Sequence, residues 1–176
     1  LIVQITKNEA RTIEWIPFEL RPAPHPTLRP EGEYLERVWR ESVYPMAERL
    51  DIHIVLPRIS PQPHTSLAFE GYQYAMDQGQ GPTYTHRMFT AFFQEERHIG
   101  ELTVLTELAG ELGFDTLAFH TALKTGQYRA RHMKALRHAR EEMRITAVPT
   151  LVRNHHRLQG LPSRSQLQTF LSTDAD

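Results

Sequence analysis

Residues 144–152 read Arg-Ile-Thr-Ala-Val-Pro-Thr-Leu-Val. Ile145, Val148, Leu151 and Val152 give the segment the apolar, largely β-branched character of a buried strand, yet Pro149 sits inside it. Proline has no N–H to give a ladder and is confined to edge strands, first positions and bulges. Three readings of Pro149 are open: an edge strand, a bulge, or a cis Val148–Pro149 bond, since X–Pro is the linkage at which the cis form costs little. Downstream, the pattern predicts a strand over 147–153 and a turn at Asn154-His155-His156. A short strand over 157–159 then reaches Gly160, and Ser163 caps a helix over 166–171.

Upstream lies a long helical block. Residues 32–50 carry Tyr34, Leu35, Val38, Trp39, Val43 and Met46 at helical spacing, with a kink or break expected at Pro45. A short apolar piece, 52–56, and a proline-rich loop follow. Further helices are predicted over 66–77 (capped by Thr65 or Ser66 and closed by Gly79), over 82–97, over 101–112, and from a cap at Asp115 to a break at Thr125-Gly126. A basic helix then runs to about Arg144. Before the block, Leu1–Thr6 is apolar and β-branched. Ile13, Trp15, Phe18 and Leu20 alternate in a strand-like way broken by Pro17, and residues 21–30 hold four prolines in an irregular connection. The order is strand, strand, helical block, strand, strand, helix. It reads as an α/β unit built from 1–30 and 125–176, with a helical insertion over 31–124.

The bulk numbers bound the function. The chain has 176 residues, 40% hydrophobic and 23% charged, which is enough to bury a core without staples. Twenty Lys and Arg against 21 Asp and Glu leave a net charge of −1, so no broad field favours nucleic acid or an anionic membrane. No apolar run approaches the ~20 residues that span a bilayer. There is no cysteine, which excludes disulfides, thiolate metal sites and a cysteine nucleophile within these residues. The first residue is Leu1, so a native start is expected to lie outside these residues. The cytoplasm is the working expectation for compartment, with any leader unread.

Val148-Pro-Thr150 before apolar residues, a polar turn, a second strand ending in Gly160 and a capped helix resembles the C-terminal half of a thioredoxin fold. In that fold the equivalent proline is cis and faces the redox motif. The wider match is to the DsbA-like branch, and within it to the FrnE-like and 2-hydroxychromene-2-carboxylate isomerase-like groups. Trp15-Ile-Pro-Phe-Glu-Leu20 with Pro22 resembles their W-x-P-F-x-L-x-P segment. Met88-Phe-Thr-Ala-Phe-Phe93, Arg97-His-Ile99, Val104-Leu105 and Leu108-Ala109 are similar to their aromatic helix and the helix after it. Gly113-Phe-Asp115 fits their G-L-D. The likeness runs from about residue 12 to 171 and implies an α/β thioredoxin-like fold with an inserted all-helical subdomain.

Two departures stand out. His64 and Phe69 occupy places where FrnE-like proteins often show Asn and His. The C-x-x-C of the family, or its serine variant, is absent: only Lys7–Arg11 lie between the two N-terminal strand candidates, while a parallel pair needs a crossover of about a dozen residues. The resemblance therefore implies a DsbA/FrnE-like thiol–disulfide oxidoreductase whose C-x-x-C lies outside the residues given. The alternatives are a glutathione-dependent isomerase or transferase with a serine nucleophile, and a redox-inactive thioredoxin-like binding module. A thiolate must meet a sulfur in line, with the substrate held extended beside it. Backbone groups of Val148 can pair with such a substrate. Val148, Pro149 and Thr150 are carried over as substrate-binding; no catalytic or metal-ligating residue is. The implied partners are a thiol or disulfide protein substrate or glutathione, with no resident cofactor, no nucleic acid and no membrane, and with room for a homodimer.

Other constellations read as structural. His155-His156 point apart on a strand or turn, and His132 and His138 do not share a helix face, so ten histidines make no obvious metal set. His64, His86 and His120 are candidates for a cleft lining, though each also suits a surface. Arg129–Arg140 forms a basic helical face, either solvated and paired with acids such as Glu141 and Glu142, or a dock for an acidic partner or glutathione carboxylates. Met88, Phe89, Phe92 and Phe93 are core or the floor of a groove. Glu95-Glu96 and Glu141-Glu142 are adjacent and cannot converge on one atom from a helix.

Overall fold

In the computed structural model, residues 13–172 are described. The strand expected over 1–6 lies outside them. The chain resolves into two units, Leu1–Leu20 with Ala135–Asp176, and Arg21–Lys134.

The Arg21–Lys134 unit is helical. Its first helix is continuous from Glu33 to Arg49 but changes pitch: α1 (Glu33–Val38), a π-turn (Trp39–Val43) and α2 (Tyr44–Arg49). Pro45 explains the change. It lacks the N–H that would bond Glu41, and its ring would strike that carbonyl. The chain widens one turn, and Tyr44 N–H donates to Trp39 O instead. The expected kink is thus absorbed as a π-turn. Residues 52–56 form no strand; Val55 N–H donates to Phe93 O at 2.9 Å.

Four helices make the core: α3 (Ser66–Asp77), α4 (Gly81–Phe93), α5 (Leu102–Glu111) and α6 (Thr116–Lys124). Tyr72, Ala75, Tyr84, Met88, Leu105, Leu108, Phe119 and Leu123 meet there, all buried. At spacing three and four, these residues place one apolar stripe of each helix inward. Tyr74 is edge-on to Phe114, Phe119 and Tyr128, with centroids 5.7, 5.2 and 5.9 Å away, a favoured aromatic geometry. Gly71 permits the closest approach: a Cβ there would stand 2.2 Å from Tyr84 Oη, which donates to Ala68 O at 3.1 Å. Asp115 caps α6 as expected, its Oδ1 accepting from Ala118 N at 2.9 Å. Thr65 occupies the N-cap of α3 without a side-chain cap bond. Helix α4 ends at Phe93, short of the expected Arg97, because residues 94–97 turn back on its last carbonyls: Arg97 N–H donates to Ala91 O at 2.8 Å.

Helix α7 (Arg129–Arg137) continues into a second π-turn, His138–Glu142. The basic helix therefore ends before the expected Arg144, which takes a positive φ of 49°.

In the other unit, β1 (Thr150–Arg153) and β2 (His156–Gln159) pair antiparallel, Thr150 opposite Gln159 and Arg153 opposite His156. Asn154 turns the hairpin with φ of 54°, a conformation asparagine tolerates. Two strand expectations are corrected. The first strand starts at Thr150, not residue 147, so Pro149 precedes the ladder, where a missing N–H costs it nothing. Residues 13–19 form no strand among the described residues. The last helix, α8 (Arg164–Ser172), opens on a capping box: Gln166 N–H donates to Ser163 Oγ at 3.2 Å and Ser163 N–H to Gln166 Oε1 at 2.8 Å. Leu167 and Leu171 are buried against Leu151 and Phe170. Arg153 donates to the Phe170 and Leu171 carbonyls at 3.2 and 2.6 Å, closing the C-terminal end of α8 with a cation.

Candidate functional site

Val148, Pro149 and Thr150 form a tight corner at the mouth of the hairpin. The Val148–Pro149 bond is cis. Thr150 Oγ1 donates to Ala147 O at 2.6 Å, bridging the corner. Gly160 N–H donates to Pro149 O at 2.8 Å, adding a rung beyond the ladder. The Pro149 carbonyl is thereby occupied. Val148 is 42% exposed, and among the described residues its backbone N–H and C=O have no partner. Among the described residues the corner therefore carries one unbonded backbone donor and one unbonded acceptor next to a strand.

Among the described residues this is the edge of a two-stranded sheet rather than a pocket. Two shallow depressions of about 450 and 370 Å³ lie along α8, lined by Ser165, Thr169 and neighbours; none of Val148, Pro149 and Thr150 lines either. An edge with free backbone groups suits an extended chain better than a compact small molecule.

The histidines do not gather. His64 Nδ1 lies 3.2 Å from Arg21 O, His86 is exposed, His120 is half-buried, and His138 Nδ1 meets Glu142 Oε2 at 2.7 Å. Among the described residues no group of three or more His, Asp or Glu comes together. Part of the basic face is paired, chiefly with partners other than the expected Glu141 and Glu142. Arg131 and the Tyr128 hydroxyl hold Asp77, Arg129 reaches Glu70, and Arg140 lies over the Phe18 ring at 5.3 Å. The Arg131 bond, chiefly, holds the Asp77 carboxyl below its ordinary range. Of the aromatic run, Met88 is buried, Phe92 and Phe93 are half-buried, and Phe89 is 58% exposed.

Sequence reasoning passed over Glu70. It falls three residues after Leu67 and four before Tyr74, on the buried stripe of α3. A carboxylate at an apolar position in a regular pattern was the available signal.

Three comparisons bear on the family. A model of the DSBA-like thioredoxin domain matches residues 2–172. The uncharacterized protein YwbO of Bacillus subtilis (strain 168) is 42% identical over 169 residues, covering 96% of this chain and 84% of that protein. The solved structure of 2-hydroxychromene-2-carboxylate isomerase (HCCA isomerase) superposes with a TM-score of 0.74 at 17% identity, over 97% of this chain and 83% of its own. Among the described residues no helix is long and apolar enough to cross a membrane. The chain belongs to the DSBA-like thioredoxin domain family, with an α/β thioredoxin-like fold that is rich in inserted helix and carries a small sheet.

Proposed function

We propose that the chain holds a sulfur-bearing peptide in extended form along Val148–Pro149–Thr150 and serves protein thiol–disulfide exchange of the DsbA type. The exposed Val148 carries this reading. Its unbonded backbone N–H and C=O stand beside β1, where a second chain can add as a strand. In the exchange, a thiolate attacks one sulfur of a disulfide and the other leaves as a thiolate. These 176 residues contain no cysteine, so every sulfur in that step belongs to groups outside them, and no catalytic residue is assigned within them.

The same lack of cysteine favours a second reading, glutathione-dependent isomerisation or transfer, in which the tripeptide brings its own sulfur as a substrate. The solved neighbour, HCCA isomerase, is named for an isomerisation.

Insulin reduction by dithiothreitol, followed as turbidity with the product of the complete gene, separates the two. Acceleration supports exchange. No acceleration, together with glutathione binding that shifts the Val148 amide resonance, supports the second. A Val148 amide indifferent to both insulin and glutathione defeats both.

A further inference from the structure

Glu70 lies on α3 in the helical unit, with a side chain only 3% exposed. Among the described residues its Oε2 has no hydrogen-bond partner. Its Oε1 lies 3.5 Å from Arg129 Nε, beyond the 2.7–3.2 Å of a sound N–H···O bond. A buried carboxylate left this poorly paired is costly, because it has given up water without receiving equivalent donors. One turn along the same face, Gln73 is 5% exposed, and among the described residues its amide makes no hydrogen bond. Two basic side chains of α7 offer no remedy. Arg131 is committed to Asp77, and Arg129 is itself 65% exposed, folded back over Gly126. Gly126 has φ of +67°, a conformation that favours glycine, and a Cβ there would crowd the Arg129 guanidinium at 3.2–3.4 Å.

The arrangement is a covered acid, a buried amide one turn along the same helix, and a largely exposed cation 3.5 Å from the acid. A purely cationic ligand reaching Glu70 would meet Arg129 and be repelled. A purely anionic one would satisfy Arg129 and leave Glu70 as it is. A ligand bearing both charges a few ångströms apart satisfies both: its ammonium donates to Glu70 in place of Arg129 Nε, and its carboxylate takes the released guanidinium fork. The Gln73 amide can serve either group. We propose that Glu70, Gln73 and Arg129 form a site for a free α-amino-acid head group, an ammonium and a carboxylate on one carbon. The site stands apart from the sulfur chemistry proposed above and involves no redox step, so the two readings fail independently.

The test is a titration of the whole chain, followed by NMR, with L-alanine, L-alanine methyl ester and N-acetyl-L-alanine. Each capped form lacks one charge. L-alanine is expected to bind, and each capped form to bind about tenfold more weakly or worse, the worth of one charge-assisted bond. Glu70→Gln should erase the preference over the N-acetyl form, and Arg129→Gln the preference over the methyl ester. Should Glu70→Gln fail to fold, Arg129→Gln, altering an exposed side chain, still decides the matter. Absence of alanine binding, or equal binding of all three compounds, overturns the proposal and leaves a bridging water as the partner of Glu70.

Discussion

The Arg140 guanidinium lies 5.3 Å from the centre of the Phe18 ring and donates to the Glu19 carbonyl at 2.6 Å. One side chain thus ties the segment Trp15–Leu20 to the π-turn that follows α7, across more than a hundred residues of sequence. The planar cation suits both tasks, since it stacks on the ring while its edge donates. Glu19 is buried and Pro17 beside it is buried, so an extended, strandless segment is fixed by side-chain and carbonyl contacts rather than by a ladder.

Arg140→Lys should therefore not be conservative. A lysine keeps the charge but loses the fork, and about 1 kcal/mol of the unit's stability should go with it; Arg140→Ala should cost about 2 kcal/mol. Hydrogen exchange at residues 15–20 measures this directly. Unchanged protection in Arg140→Ala would show that the contact is incidental.

How much of this was legible in the sequence depends on range. Local signals read well: the Asp115 cap, the Ser163 cap and the helical stripes of α3 to α6 follow from contacts within one or two turns. Pro149 was legible as a special position but not as the residue before the strand, because the 147–149 corner is set by the Thr150 hydroxyl and the Gly160 amide. Residues 13–20 alternate like a strand, yet alternation reports only that one side is apolar. Phe18 and Arg140 supply the apolar and cationic partners from opposite ends of the chain, and no local pattern reveals such a pairing. Of the candidate site, residue identities were readable; the free backbone of Val148 was not, since it depends on what the neighbouring groups leave unbonded.

Gly71 offers a sharp test of the helical core. Alanine would set its Cβ 2.2 Å from Tyr84 Oη, 2.9 Å from Tyr84 Cζ and 3.0 Å from Phe119 Cζ, all buried. Overpacking at such a site should cost about 2–3 kcal/mol, despite alanine's better helix propensity. Tyr84→Phe removes the worst clash along with the bond to Ala68 O. The double variant should then be more stable than the sum of the two single losses predicts, by about 1 kcal/mol in a denaturation cycle. Strict additivity would mean that α3 and α4 separate freely.

The pH response should follow the ion pairs of the same unit. Arg87, a mostly buried side chain, holds Glu95 through two bonds at 2.8 and 3.0 Å and Glu111 at 2.7 Å; Arg97 also reaches Glu111, at 3.5 Å. The Arg87 hydrogen bond, and then the charges of Arg87 and Arg97, keep the Glu111 carboxyl below its ordinary 4.5. A carboxyl whose folded value is depressed stabilises the fold above its unfolded value, and that contribution is lost as pH falls through the folded one. Urea midpoints should therefore be level near neutrality and decline below about pH 4.5. In Arg87→Gln the midpoint at pH 7 should fall and the acid decline should become shallower. A parallel shift of the whole curve would separate Arg87 from the titration.

Thr150 is the remaining test, and it falls on the corner that the proposed function uses. Its Oγ1 donates to Ala147 O and so spans Val148 and Pro149. Thr150→Val keeps the branched shape and the strand preference but deletes that donor. The hairpin should survive, because the rung from Gly160 N–H to Pro149 O and the Thr150–Gln159 pairing depend only on backbone. The loss in stability should be about 1 kcal/mol, one neutral hydrogen bond. Freed of its bridge, Val148 should sample more than one backbone orientation, and an extended thiol-bearing peptide should bind several-fold more weakly, since it must first order the corner. Amide relaxation at Val148 and peptide titration read the two effects separately. A valine variant that is rigid at Val148 and binds as the parent does would show that the hydroxyl takes no part in presenting the corner.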